Sequence, residues 1–422
     1  MKRPLITSTC LALALAATSC GKAEEQGGGA VGGGGEGGAT AAAPGVTEDT
    51  ITLGALMDLT AVFAANSRSI LQGANLYWDS VNADGGVCGR EVELDVQDHG
   101  YDPQQAVSLY QTMSDNVLAI APVLGSSVIT ALRPSFEEDD MLVGMAAWTS
   151  DVLPDPRFQI TGTTYDVETI NAIDWLTREH GLQSGDSIGV VYFEGDFGGS
   201  SLRGAEYAAE ELGLTVVPHQ IKPSDTDLSA QVNAMANEGV DAIIVAAASP
   251  QTASIASVAQ SIGLDVPIVG NAPAFTPNLM DTPAGPALEE NFYTSTSMAP
   301  PSLDEEGVTE FLTAYEAEYP DEEPIQNGAM YGYASAQIMH EVLMRACEED
   351  DLTREGLLDA LRSITDYESG GTVAGVLDYS DPAVPPTREV YISKADPNAP
   401  GGLTAVGESF TSDLAEAYEF TG

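Results

Sequence analysis

The residue types that commonly carry out chemistry occur in this chain, but not in known catalytic arrangements. The sequence contains no GxxxxGK[ST] phosphate loop, no HExxH zinc motif, no GxSxG nucleophile elbow and no CxxC pair. The four histidines stand far apart, and surface or loop positions explain them more simply than a metal site: His99, His180, His219 and His340. We therefore expect no enzyme activity, no metal and no cofactor, because no nucleophile, base and orienting group assemble.

A short glycine- and serine-rich segment is a weak candidate for an anion site. Gly198, Gly199, Ser200 and Ser201 stand between a predicted strand and a predicted helix, where helix N-terminal amides bind anions. The segment lacks the lysine of a phosphate loop. A glycine turn followed by a serine N-cap fits the same residues equally well.

The composition excludes one large class of partners. The chain has 422 residues, with 15 Lys and Arg against 64 Asp and Glu, and a formal net charge of −49. Nucleic-acid binding depends on clustered Lys and Arg, and here no basic run occurs. Hydrophobic residues make up 43% of the chain and charged residues 19%, a globular composition whose length allows two domains.

Short apolar runs alternate with helical segments along the body of the chain. Strands are predicted at 51–57, 91–97, 117–122 and 141–145. The region 187–270 repeats strand and helix three times, and each helix is followed by a glycine suited to a left-handed cap: Gly213, Gly239 and Gly263. In the middle helix Leu228, Val232 and Met235 recur at helical spacing and predict one buried face.

Repeated βαβ units predict an α/β fold with parallel sheets covered by helices on both faces. In such sheets ligands bind beyond the carboxyl ends of the strands. One set of these loops precedes residue 162 and another follows it. Two facing lobes would enclose a cleft suited to a small molecule.

The N-terminus predicts export. Lys2 and Arg3 precede a short apolar stretch at 11–17, which indicates a signal peptide over 1–19. The residues before Cys20 resemble the lipobox of bacterial lipoproteins, in which the cysteine is acylated; a secreted protein cut nearby is the alternative. The Gly/Ala-rich segment 20–46 predicts a flexible tether with a reach of roughly 28 Å.

Cysteine usage agrees with export. Once the signal peptide is removed and Cys20 carries lipid, only Cys88 and Cys347 remain in the body. A single pair in an oxidising compartment predicts a disulfide, with two buried free thiols as the alternative.

A characteristic series of small and acidic residues runs through 54–107. Its members are Gly73-Ala74, Asn82-Ala83-Asp84-Gly85-Gly86, Gly89-Arg90, Asp98 and Asp102-Pro103. In this order and spacing the segment resembles the N-terminal lobe of the branched-chain amino-acid substrate-binding proteins of bacterial ABC transporters. The resemblance continues to about Lys394.

The resemblance implies the type I periplasmic-binding fold, with two Rossmann-like lobes joined by three crossovers near Gly162, Ser297 and Thr365. Lobe one would comprise residues 47–162 and 298–365. Lobe two would comprise 163–297 and 366–410, followed by a C-terminal tail at 411–422. On this map Cys88 and Cys347 fall in the same lobe.

The resemblance also implies how a ligand carboxylate is held. In the family, a Ser-rich loop and an Ala-x-Thr loop of lobe one contact it through hydroxyls and backbone groups. The matching residues are Gly125-Ser126-Ser127 and Ala147-Trp148-Thr149. We expect Ser126 and Thr149 to be the anchors and the Ala147 backbone to be a partner, with helix capping as the alternative.

Aromatic residues are expected around the ligand. Phe197 matches a family tyrosine that closes on the ligand, and Ser249 stands beside the position of a second family aromatic, here alanine. Trp148 stands where the family usually has a small residue, so it either narrows the pocket or packs outward. Phe63, Tyr165 and Tyr331 are further candidates, with core packing as the alternative.

The loop expected to recognise a ligand amine departs from the family. Relatives that bind α-amino acids place a carboxylate there, whereas residues 270–275, which include Asn271, contain none. Because a buried ammonium without a counter-ion is costly, either Asp58, Glu194 or Asp196 substitutes for it, or the ligand has no amine.

By resemblance the function is that of a monomeric, lipid-anchored receptor outside the cytoplasmic membrane. It would deliver a branched-chain amino acid, or a related small carboxylate or amide, to an ABC-transporter permease. A ligand sensor of the same fold is the main alternative. An exported hydrolase and a structural adhesin are weaker alternatives.

Overall fold

The computed structural model describes residues 43–320 and 325–420. The predicted signal peptide, the lipidation site at Cys20 and most of the tether lie outside the described residues. Within them, no helix combines the length and the apolar character needed to cross a membrane. The predicted α/β fold with two parallel, helix-flanked sheets is confirmed.

The first sheet forms the centre of lobe one. Its five strands are all parallel, in the order β2-β1-β3-β4-β5. Each predicted strand lies within two residues of its observed position; β1, β3 and β4 are largely buried on both faces, whereas the edge strand β2 is mostly partly exposed. The strands are β1 (Thr50–Met57), β2 (Glu91–Asp98), β3 (Ala119–Leu124), β4 (Val143–Ala146) and β5 (Phe158–Ile160).

In the described part of lobe one, the helices are α1 (Ala64–Ala83), α2 (Pro103–Met113), α3 (Ser126–Glu138), α9 (Glu306–Glu318), α10 (Asn327–Glu348) and α11 (Arg354–Arg362). Helices α1 and α10 pack closely through glycines. A Cβ atom at Gly73 would lie 1.8 Å from the Ala329 carbonyl oxygen, and one at Gly332 would lie 1.9 Å from that of Ile70. Only glycine permits this approach, which fixes the start of α10 beside the first helix.

The second sheet forms the centre of lobe two, in the order β12-β11-β10-β9-β8-β6-β7. Strands β6 to β10 are parallel to one another, whereas β11 is antiparallel to both β10 and β12. The strands are β6 (Ser187–Phe193), β7 (Thr215–Ile221), β8 (Ala242–Ala246), β9 (Ile268–Gly270), β10 (Phe292–Thr296), β11 (Tyr391–Ala395) and β12 (Leu403–Ala405).

The helices of lobe two end as the sequence predicts. They are α4 (Tyr165–Glu179), α5 (Asp196–Leu212), α6 (Ser229–Glu238), α7 (Ser249–Ile262), α8 (Gly285–Asn291) and α12 (Asp413–Ala417). Gly213, Gly239 and Gly263 are left-handed caps of α5, α6 and α7, with φ of 70°, 72° and 74°. Val232 and Met235 are buried as predicted.

The chain segments that join the lobes meet at Ser297. The Ser297 hydroxyl accepts a hydrogen bond from the Thr163 N–H at 3.1 Å, and its carbonyl accepts one from the Ala374 N–H at 2.8 Å. Gly162 has φ of +93°, and a Cβ there would lie 1.9 Å from the Ser297 hydroxyl oxygen. Ser297 therefore links three chain segments that run between the lobes.

The third crossover is predicted near Thr365, and the chain after this point contacts both lobes. The Tyr379 hydroxyl donates to the Ile160 carbonyl of lobe one at 2.8 Å, and the Arg388 carbonyl accepts from Asn171 of lobe two. The position of this crossover stays a prediction. The expected C-terminal tail instead contains α12, which packs on α4.

The two body cysteines lie together in lobe one. Cys88 and Cys347 are joined as a disulfide, with Cα atoms 6.3 Å apart. The bridge ties the end of α10 to the loop between α1 and β2, across 259 residues of sequence. It therefore reinforces the same helix pair that the glycines bring together.

We expect this disulfide to stabilise the folded protein. Replacement of both Cys88 and Cys347 by serine should lower the free energy of unfolding by about 2–4 kcal/mol, mainly because the unfolded chain gains freedom. Urea titration measures this change. With Cys10 and Cys20 replaced by alanine, the unfolded, unreduced protein should contain no free thiol; two titratable thiols would contradict the pairing.

Candidate ligand-binding cleft

A cleft between the lobes is the candidate site. It contains roughly 990 Å³ of space, part of it open to solvent, and is lined by both lobes and by the crossover segments. Six of the expected ligand residues line it: Phe63, Ser126, Ala147, Trp148, Tyr165 and Phe197. Tyr331, also expected, lines it from the start of α10.

Aromatic rings form a connected chain around this cleft. Trp148 contacts Tyr331 with ring centroids 5.0 Å apart and Tyr165 at 5.5 Å, and Tyr165 contacts Phe197 at 4.5 Å. The Trp148 indole N–H donates to the Thr161 carbonyl at 2.9 Å. Of the two orientations considered for Trp148, the structure therefore has the one that narrows the pocket.

Rings from both lobes also meet at Phe63, which lines the cleft. Phe63 of lobe one lies 5.0 Å from Tyr101 and 6.2 Å from Phe193 of lobe two, measured between centroids. Gly125 has φ of +105°, and a Cβ there would lie 2.7 Å from the Tyr101 ring. Glycine at this position thus lets Tyr101 pack against the start of α3.

Ser126 presents an unused hydroxyl to the cleft. It is 2% exposed, and its Oγ has no hydrogen-bond partner among the described residues. Ser126 is the first residue of α3, where N–H groups have no partner within the helix. Val128 and Ile129 are satisfied by the Gly125 carbonyl. The geometry suits an anion, because the helix dipole is positive at this end.

Four other expected ligand residues do not line the cleft. The Thr149 hydroxyl accepts from the Asp151 N–H at 3.3 Å and donates to its carboxylate at 3.0 Å, so it caps a short 3₁₀ turn. Ser127 bonds instead to the Tyr101 hydroxyl. Ser249 lies at the start of α7, and Asn271 is buried between Ser201 and Glu168.

The glycine- and serine-rich segment of lobe two has a different role from either one expected. Helix α5 begins at Asp196, so the segment lies inside the first two turns rather than before them. A Cβ at Gly198 would lie 2.0 Å from the Phe193 carbonyl oxygen. Gly198 therefore allows α5 to pack against β6, and the Ser201 hydroxyl donates to Asn271 at 2.7 Å.

The histidines are not gathered at the cleft. Among the described residues, no three His, Cys, Asp or Glu side chains are grouped to hold a metal ion. His99 differs from the expected surface position, because it is fully buried. Its ring bonds to the Leu56 carbonyl at 3.2 Å and to the Tyr101 N–H at 3.0 Å.

No described residue that lines the cleft carries a formal charge. The three acids considered as amine partners lie elsewhere. The Asp58 carboxylate accepts backbone N–H groups from Thr60, Ala61 and Phe63, at 2.6–3.2 Å. Glu194 is exposed, and the Asp196 carboxylate accepts from the Thr130 hydroxyl across the lobe boundary.

Two buried acids lie behind the cleft, at the start of α4. Burial raises the pKa of Glu168 to about 8, although hydrogen bonds from Asn271 and Thr296 act in the opposite direction. Burial also raises the pKa of Asp166, against hydrogen bonds from Ser150 and Thr164. Glu168 is therefore largely uncharged near neutral pH, which keeps the environment of the cleft neutral.

The sequence did not point to several lining residues. Among them are Tyr101, Phe275, Thr294, Met298, Ser393 and Leu403, and the amide side chains of Asn66, Gln326 and Asn327. Thr294 and Thr296 share one face of β10, but Tyr293 and Ser295 make the other face polar as well, so the strand pattern does not single out the lining residues.

Glu168 should make stability dependent on pH. Its pKa is higher in the folded chain than its ordinary value of 4.5, so the folded state binds more protons between pH 4.5 and about 8. The contribution of Glu168 to the free energy of unfolding is present below this pH window and is lost as the pH rises through it. In urea titrations at several pH values, the free energy of unfolding should therefore decline less with rising pH in Glu168→Gln than in the wild-type protein.

The exposed Glu289→Gln variant is the matched control, because it removes the same formal charge from the surface of α8. It should retain the pH dependence of the wild-type protein. If the free energy of unfolding of Glu168→Gln declined with pH as it does in the wild-type protein, this carboxyl would not be the titrating group.

Comparisons with known proteins agree with this architecture. A Leu/Ile/Val-binding protein of Rhizobium johnstonii is 23% identical over 227 residues, which are 52% of this chain and 60% of that relative. The matched region thus spans less than two thirds of its length. A branched-chain amino-acid ABC transporter structure from Thermus thermophilus, with bound valine, is 20% identical with a TM-score of 0.78, covering 88% of this chain and 99% of that one.

A second solved structure shares more of the sequence. The fatty acid ABC transporter substrate-binding protein from Thermomonospora curvata is 45% identical with a TM-score of 0.87, covering 90% of this chain and 97% of that one. The family profile of periplasmic binding proteins matches residues 50–400. The chain therefore belongs to the periplasmic binding protein family, whose members bind solutes and are not enzymes.

Proposed function

We propose that this protein is a lipid-anchored solute receptor that captures an apolar carboxylic acid of the fatty-acid type and delivers it to an ABC-transporter permease. The observation that carries the proposal is the interlobe cleft, whose described lining is mostly aromatic and aliphatic and carries no formal charge.

A free amino acid fits this cleft poorly. Its ammonium would be buried without a carboxylate, since Asp58 and Asp196 are engaged elsewhere and loop 270–275 has none. Burial of an unpaired charge costs several kcal/mol. The 45%-identical structure is named as a fatty acid carrier, which supports a ligand without an amine.

The carboxylate binds at the start of α3. Ser126 donates its hydroxyl, and the first N–H groups of the helix complete the site. Short donors at a helix N-terminus stabilise an anion without a cationic side chain. The hydrocarbon chain then packs among Trp148, Tyr165 and Phe197, which line the same cleft.

Attachment to the membrane rests on the sequence. Acylation of Cys20 after removal of the signal peptide would hold the protein at the outer face of the cytoplasmic membrane. The tether up to residue 46 would keep the receptor within roughly 28 Å of the lipid. A monomeric receptor in that position can meet its permease repeatedly without diffusing away.

Saturated alkanoic acids should bind, and amino acids should not. In a thermal-shift screen of the purified protein, we expect stabilisation that grows with chain length, because a ligand specific for the folded state raises Tm. Each buried CH₂ should add about 0.8 kcal/mol, or about fourfold in affinity, until the cleft is filled. Stabilisation by leucine or valine but by no alkanoic acid would contradict the proposal.

Ser126→Ala should weaken binding of the best alkanoic acid by about 1–3 kcal/mol, because a buried donor to a carboxylate is lost. Isothermal titration measures the change. Thr149→Ala is the matched control from the second expected loop. Its hydroxyl caps a turn, so this variant should lose stability and retain affinity. Loss of affinity in Thr149→Ala but not in Ser126→Ala would instead assign the ligand carboxylate to Thr149.

A further inference from the structure

The cleft continues into lobe two beyond the proposed carboxylate site. There it is lined by Phe275, Thr294, Ser393 and Leu403. Thr294 of β10 and Ser393 of β11 are directly opposed in an antiparallel ladder. The Cβ atoms of such a pair lie about 4.5–5.5 Å apart, on the same face of the sheet. Two hydroxyls thus stand side by side in the lining of the cleft.

Both hydroxyls lack a partner. Thr294 and Ser393 are each 1% exposed, and neither Oγ atom makes a hydrogen bond within the described residues. Their neighbours on β10 are satisfied: the Ser295 hydroxyl donates to the Glu168 carbonyl at 2.8 Å, and the Thr296 hydroxyl accepts from the Met298 N–H at 3.2 Å.

An unsatisfied buried hydroxyl costs about 1–3 kcal/mol, and such groups are rare in folded proteins. Valine and alanine would fill the same positions without that cost. The pair is therefore placed to serve a group that the described chain does not itself supply. Because the pair lines the ligand cleft, the ligand is the natural source of that group.

We infer that Thr294 and Ser393 form a second hydrogen-bonding subsite, which binds an uncharged hydroxyl or carbonyl on the hydrocarbon part of the ligand. The inference rests on the proposed function and narrows its substrate class to oxygenated fatty acids. The ligand would then meet an unpartnered hydroxyl in each lobe, Ser126 in lobe one and this pair in lobe two.

The group bound there is uncharged for two reasons. No described residue lining the cleft could neutralise a charge. The pair also lies in the middle of two strands, away from a helix N-terminus, so no macrodipole assists an anion as it does at α3. A hydroxyl or carbonyl needs neither, since serine and threonine both donate and accept hydrogen bonds.

A bound water is the competing occupant, because a buried water also satisfies paired hydroxyls. The two occupants differ in their consequences for selectivity. A water bound there would give no preference for an oxygenated acid. A subsite that receives a ligand hydroxyl creates such a preference at one position along the hydrocarbon chain.

The test is isothermal titration of the purified protein with hexadecanoic acid and its positional hydroxy isomers. At least one isomer should bind about tenfold or more tightly than the unsubstituted acid, as one buried hydrogen bond provides. Thr294→Val and Ser393→Ala should each remove this preference. Each variant is also titrated with hexadecanoic acid, so that the preference is measured as the ratio of the two affinities in the same protein.

Thr252→Val is the matched control. Thr252 is fully buried in α7 with an equally unpartnered hydroxyl, but it does not line the cleft, so this variant should keep the preference. The inference is overturned if no isomer exceeds hexadecanoic acid, or if the preference survives in the Thr294→Val/Ser393→Ala double variant. Failure of every acid to bind, the parent included, would instead reject the proposed function and this inference together.

Discussion

A charge removed from water needs a partner, and this constraint accounts for how the cleft is built. Each acid near the cleft is either bonded or held uncharged. Asp58 accepts three backbone N–H groups, and Asp196 accepts a hydroxyl from the opposite lobe. Burial raises the pKa of Glu168 to about 8, so that carboxyl is largely protonated at neutral pH. What remains facing the ligand, in the described part of the chain, is uncharged.

The same constraint links the frame of the protein to its ligand. Ser297 joins the chain segments that cross between the lobes, and Glu168 and Asn271 lie buried beside them. The uncharged acid behind the cleft is therefore adjacent to the segments that join the lobes. Aromatic rings then supply area without charge, from Tyr331 through Trp148 and Tyr165 to Phe197. Such a surface gains free energy from hydrocarbon and supplies no carboxylate to pair with an ammonium.

Much of this fold could be predicted from the sequence, because strand burial and glycine caps are local signals. The caps at Gly213, Gly239 and Gly263 were placed correctly for this reason. The position of the third crossover is not a local signal, since it depends on contacts distant in sequence, such as the bond between Tyr379 and Ile160.

The site was harder to predict, because a residue's type does not reveal which partner its side chain has already taken. Ser126 and Thr149 looked equivalent in sequence, yet one hydroxyl faces the cleft unpartnered while the other caps a turn. The central claim, that the cleft accepts a carboxylate and rejects an amine, is tested most directly by the affinities of hexadecanoic acid and its α-amino derivative, measured by isothermal titration. The account predicts that the added ammonium weakens binding by about tenfold or more; equal or tighter binding of the amino acid would contradict it.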